Sequence, residues 1–199
     1  MLDQSMETAL SIKNLASALA SLFGARTEKP TVPATATAPW PDPADEREVD
    51  AATMTRWIAL ISGGNAEVAE AVAPEATEAL RSDDEYLLWQ VLGDADLAVC
   101  ADWKDDDSVA AGIDSVSRTL GLGVFEPPPG PPAGFNRCQA LFIAWQPWLA
   151  ARGYRLVAID TGGDDFAAIA VRTSDFDELQ RHSAALSIPL AEPPKVYGF

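Results

Sequence analysis

The residues with the greatest chemical reach in this chain are carboxylates. An apolar run, Leu156-Val157-Ala158-Ile159, ends in Asp160-Thr161-Gly162-Gly163. A carboxylate held at the end of such a strand, and paired with a second one, can share a proton and activate water. Asp160 is therefore the one candidate for catalysis, although Asp and Gly are also what any hairpin loop needs. Asp164 and Asp165 follow in the same turn, and with Asp160 they offer oxygen donors of the kind that hard cations take. The loop lacks the Asp-x-Asp-x-Asp-Gly pattern with its distant Glu, so these read as solvated turn carboxylates. Asp105, Asp106 and Asp107 precede a helix, whose N-terminal dipole favours negative charge without a metal. His182 is the single histidine, which rules out a multi-His zinc site, and no Cys pair has ligand spacing. As a lone general base it would act from the margin of an apolar stripe, and a boundary histidine is the simpler reading. There is no Gly-x-Ser-x-Gly elbow and no phosphate-cradling loop with a Lys. No metal and no cofactor is implied.

Charge speaks more for binding than for chemistry. The formal net charge is −16, from 30 acidic against 14 basic side chains in 199 residues. Such a field repels phosphate backbones and steers cationic surfaces inward. Nucleic acid is excluded as a partner, and a partner, if there is one, is expected to be a basic protein; on composition alone, a charge that serves solubility is the simpler reading. The candidate binding residues are acidic loops beside aromatics: Asp102, Trp103, Asp105, Asp106, Asp107, Asp164 and Asp165.

The elements that must position these groups follow from periodicity. Hydrophobic residues make up 48% of the chain, including six Trp and seven Phe, enough for a sizeable core. Met54, Trp57, Ile58 and Ile61 mark one helical face, Gly63-Gly64 ends that helix, and Asn65 caps the next. Pro74 suits the first turn of another short helix, and Ser82 with Glu85 has the spacing of a capping box. Leu97, Val99, Ala101 and Trp103 alternate with polar or small residues as a strand does. Ser108 caps a helix carrying Val109, Ile113, Val116 and Leu120. Residues 126–134 form a stiff Pro-rich loop. The next helix carries Cys138, Leu141, Phe142, Trp145 and Leu149, with Pro147 expected to kink or divide it. Arg155 to Asp160 and Phe166 to Val171 predict a hairpin. Ser174 caps a last helix, and residues 188–190 add a short edge segment. The fold class expected is α+β, a small antiparallel sheet backed by several helices.

Residues 1–27 predict an amphipathic helix with Ile12, Leu15, Leu19, Leu22 and Phe23 on one stripe. Residues 28–49 predict a Pro/Ala/Thr-rich linker, and residues 50–199 the acidic domain. Trp40, between linker prolines, has no evident core to join. No apolar run approaches the roughly 20 residues that span a bilayer. Cys100 and Cys138 fall in apolar segments, which favours the cytoplasm. The alternative is a periplasmic protein, if the N-terminal segment is a signal.

Two resemblances bear on function. Ile159-Asp160-Thr161-Gly162 resembles the active-site turn of aspartic proteases, and that likeness would require a homodimer to bring two copies of Asp160 together. It covers about eight residues on the scale of one turn, and the later apolar-apolar-Gly element of that family does not follow Val171. Ala101-Asp102-Trp103-Lys104 and the stretch from Tyr154 to Phe166 resemble an uncharacterised bacterial family of small acidic domains with no established activity. That resemblance implies a single α+β domain and supplies no catalytic residues. The function favoured is non-enzymatic binding of a basic protein partner, as immunity or escort proteins do. A carboxylate hydrolase using Asp160 and an adaptor anchored through the N-terminal helix are the alternatives.

Overall fold

The computed structural model describes residues 48–82, 85–131, 134–159, 161 and 165–193. The expected N-terminal helix and all of the expected linker except Glu48 and Val49, with Trp40, lie outside them, as do Asp160 and Asp164. Among the described residues are six helices: α1 (Ala51–Ile61), α2 (Ala66–Arg81), α3 (Glu85–Asp94), α4 (Asp106–Thr119), α5 (Arg137–Ala150) and α6 (Phe176–Ala185). Four strands, β1 (Val99–Asp102), β2 (Tyr154–Ile159), β3 (Asp165–Arg172) and β4 (Leu190–Ala191), form one antiparallel sheet in the order β1-β3-β2-β4. The α+β class, the β2–β3 hairpin and the short edge strand after Pro189 are all present.

The sheet is covered on both faces. Val157, Ile159, Ala167, Ile169 and Val171 pack into a core with α1, α2, α3 and α6. Leu156, Ala158, Phe166, Ala168 and Ala170 pack into a second core with α4 and α5. Burial on both sides explains why β2 and β3 read as unbroken apolar runs instead of alternating. Each core is built around a fully buried tryptophan whose single polar atom is satisfied. Trp57 Nε1 donates to Ser183 Oγ at 2.7 Å, and Trp145 Nε1 donates to Ser117 Oγ at 3.3 Å.

Several local expectations are corrected. Pro74 does not start a helix but sits inside the 16-residue α2. It and Glu70, whose carbonyl loses its N–H partner, both lie on the exposed side, where water can replace the missing bond. Pro147 likewise leaves α5 undivided. Asp105, not Ser108, caps α4: its carboxylate accepts from the Ser108 N–H at 3.0 Å and from Ser108 Oγ at 2.7 Å. Ser174 makes no cap bond, because a 3-10 turn at Thr173–Asp175 leads into α6. Asn136 and Gln139 form a reciprocal capping box at the start of α5 that the apolar spacing did not reveal.

A tight reversal delivers the chain into β1. Asp96 adopts a left-handed conformation (φ 56°), and the Leu97 N–H closes back on the Leu92 carbonyl at 2.9 Å. Leu97 therefore lies in the first core and Val99 in the second. Gly112 on α4 lets that helix sit close against β1, since a Cβ there would meet Val99 Cα at 3.3 Å.

Candidate functional site

The described candidate binding residues converge on one end of the sheet, where β1 stops, β3 starts and α4 begins. The β1–β3 register sets Asp102 directly opposite Asp165. Which kind of pair this is follows from the ladder. The Thr173 N–H donates to the Gly153 carbonyl at 2.8 Å, one position beyond the first β2–β3 pair. Hydrogen-bonded and non-hydrogen-bonded pairs alternate in antiparallel sheets. Ala167, Ile169 and Val171 therefore bond to β2, while Phe166 and Ala168 bond to Ala101 and Val99. Asp102 and Asp165 form a non-hydrogen-bonded pair, the kind that brings side chains closest, so two like charges face each other across the strands.

Immediately after Asp102 the chain turns into α4. The Asp105 N–H donates to the Asp102 carbonyl at 3.0 Å, and the Lys104 N–H to Asp102 Oδ1 at 2.8 Å. Asp105 then caps the helix, its carboxyl held below the usual range by the Ser108 hydroxyl and N–H. Asp106 and Asp107 occupy the first turn, where the helix dipole favours them. The nearby α5 terminus feels the same charges. The Cys138 thiol is pushed up first by burial and then by Asp106, Asp105 and Asp102.

Two exposed aromatics border these carboxylates. Trp103 is 37% exposed, with Lys104 Nζ 4.5 Å from its ring centre, and Tyr86 on α3 is 41% exposed. Trp103 therefore leaves the alternation that buries Val99 and Ala101, because the strand ends at Asp102. Burial raises the Tyr86 hydroxyl, and Asp165 adds to that shift, which ties Tyr86 to the acidic end. Spacing along α3 gave no signal of this, because it depends on which strand lies across from the helix. Arg137 is the nearest ion-pair partner, with its Nε 4.0 Å from Asp106.

Other candidates fall elsewhere. Cys100 sits on β1 facing α3, donating to the Trp89 carbonyl at 3.2 Å, and burial pushes its thiol up to about 12. Such a thiol is not a nucleophile at neutral pH. Cys138 lies in the opposite core, and both cysteines are free. His182 on α6 is half-buried, 3.6 Å from Glu178, which also takes a two-point ion pair from Arg56 at 2.6 and 2.9 Å. That trio ties α1 to α6 on the surface. A groove of about 410 Å³ runs between α1 and α2, floored by alanines with Arg56 and Glu70 on its walls. Among the described residues, no group of three or more His, Cys, Asp or Glu side chains is placed to hold a metal. No helix of the described residues is long and apolar enough to cross a membrane.

Compared with known proteins, residues 53–194 match a family described as a domain of unknown function, DUF6630. No curated protein and no solved structure matches.

Proposed function

We propose that this chain, which belongs to the DUF6630 family, is a binding protein whose acidic sheet end engages a basic protein partner. The observation that carries the reading is the Asp102–Asp165 pair. Like charges directly opposite one another destabilise a sheet, and Asp105, Asp106 and Asp107 sit beside them. A cation from a partner would offset that repulsion. The exposed Trp103 and Tyr86 supply flat anchoring surface of the kind that interfaces favour. Asp164, next to Asp165 in sequence, belongs to the same proposed surface. An immunity or escort role in a bacterial cytoplasm fits this chemistry, since both neutralise or accompany a cationic protein.

Charge steering acts before contacts form and is screened beyond about 8 Å at physiological salt. The association rate with a partner co-purified from the native source should fall steeply between low and high salt, with dissociation changing less. Asp105→Lys with Asp106→Lys and Asp107→Lys should reproduce that slowing at low salt. A salt-insensitive association rate, or a partner that is itself acidic, would remove the reading.

A further inference from the structure

We infer that the outer edge of β1 receives an extended cationic segment of the partner as an added antiparallel strand. The inference rests on the reading of the acidic end as the partner site and specifies how that site is used.

β1 ends the sheet, with β3 as its neighbour on one side and, among the described residues, no strand on the other. The ladder alternation gives Val99 and Ala101 to β3 and turns the N–H and C=O of Cys100 and Asp102 outward. On the faces of the sheet, Val99 and Ala101 are buried, Cys100 is half-buried and Asp102 is exposed. The two ends of this edge are already closed. The Ala98 N–H donates to the Leu92 carbonyl at 3.3 Å, and the Asp102 carbonyl accepts from the Asp105 N–H. Between them, the Cys100 N–H and C=O and the Asp102 N–H have no hydrogen-bond partner among the described residues. A strand laid antiparallel to β1 would bond reciprocally to Cys100 and continue to Asp102, which is strand addition at its shortest useful length.

Edge strands are commonly blunted by Lys, Pro or a bulge. Here the edge carries Asp102, with Asp165 beside it and Asp105 at its end. Those carboxylates repel the same edge of a second copy and attract Lys or Arg. Side chains alternate along a strand, so the incoming residue opposite Asp102 points to the α3 face. There its cation meets both Asp102 and Asp165. The flanking residues point to the α4 face and are best β-branched. The segment that fits alternates cationic and β-branched residues.

The probe is a synthetic peptide of alternating Arg and Val, compared with the same peptide N-methylated on the backbone amides that would face β1. The expected result is slowed hydrogen exchange at the Cys100 and Asp102 amides with the first peptide. Binding of the methylated peptide should weaken about tenfold, the scale of the lost bond to the Cys100 carbonyl. Cys100→Pro removes the outward N–H without touching the β3 ladder, and should bind the two peptides equally weakly. Cys100→Ser should behave as the parent does. If Cys100→Pro fails to fold, the peptide pair alone decides. Equal, salt-sensitive binding of both peptides with unprotected amides would overturn the added strand and leave the acidic-end reading standing. No binding of either peptide would remove both. Protection of the Cys100 amide by a concentration-dependent dimer, without peptide, would give the edge to a second copy and overturn the inference.

Discussion

Asp165 can be altered without disturbing the hydrogen bonds that hold β3, because its side chain faces Asp102 across a non-bonded pair. Asp165→Asn should raise the melting temperature at low salt, by about 0.2–1 kcal/mol in stability, and the gain should shrink as salt screens the pair. Thermal melts at two ionic strengths measure it. The same substitution should slow association with a basic partner, so stability and binding move in opposite directions. Cys100 gives a pH test. The unfolded chain releases this proton near the ordinary 9.0, whereas the folded chain holds it until about 12. The stability this burial confers is complete below the lower value and lost as pH rises through that window, at up to about 1.4 kcal/mol per pH unit. Urea melts of Cys100→Ala should show a shallower alkaline decline than the parent between about pH 8 and pH 10. At this scale the sequence disclosed which carboxylates would stand at the start of α4, because helix-start chemistry is local. It did not disclose the Asp102–Asp165 opposition, which needs a register set some sixty residues away in a different element.

The two tryptophan–serine bonds tie helix to helix, α1 to α6 across most of the domain sequence and α4 to the next helix, α5. Ser183→Ala leaves the Trp57 indole N–H buried without a partner and should cost about 1–3 kcal/mol, read from denaturant midpoints. Ser117→Ala should cost less, since the Trp145 bond is longer at 3.3 Å against 2.7 Å. Most elements were legible because their periods were clean: the β2–β3 hairpin from two apolar runs around a Gly-rich turn, and α1 from its apolar stripe and Gly63-Gly64. Where reading failed, tertiary context had overridden a local preference. Pro74 breaks helices in isolation, yet α2 continues through it because the other side of that helix, at Ala69, Ala73 and Ala76, is held in the core. The alternation of β1 was extended to Trp103 because nothing in the residue types marks Asp102 as the last paired position. That both sheet faces are covered was implicit in the unbroken apolar strands, but a buried helix segment reads much the same way.

At the scale of the whole chain, the compact unit begins at Asp45. Val49 is buried and its carbonyl accepts from Arg81, so a domain cut at Asp50 would lose both. We expect a chain starting at Asp45 to melt in one cooperative transition, checked by calorimetry; failure to fold would mean that earlier residues complete the core. The two stretches that carried the likeness to an uncharacterised family, around Asp102 and from Tyr154 to Phe166, both fall inside the span the family match covers. The order β1-β3-β2-β4 also has a bearing on synthesis. Among the described strands β1 is made first, and its neighbour, β3, is the third. A chain still growing on the ribosome carries β1 with both edges unpaired until β2 and β3 have emerged, and β3 must then settle between β1 and β2. Folding of the sheet is thus deferred until the residues up to Arg172 have emerged. During that interval α4 and α5 expose the apolar faces that later cover the sheet, and a nascent chain stalled before Tyr154 should be held by chaperones and cut readily by protease.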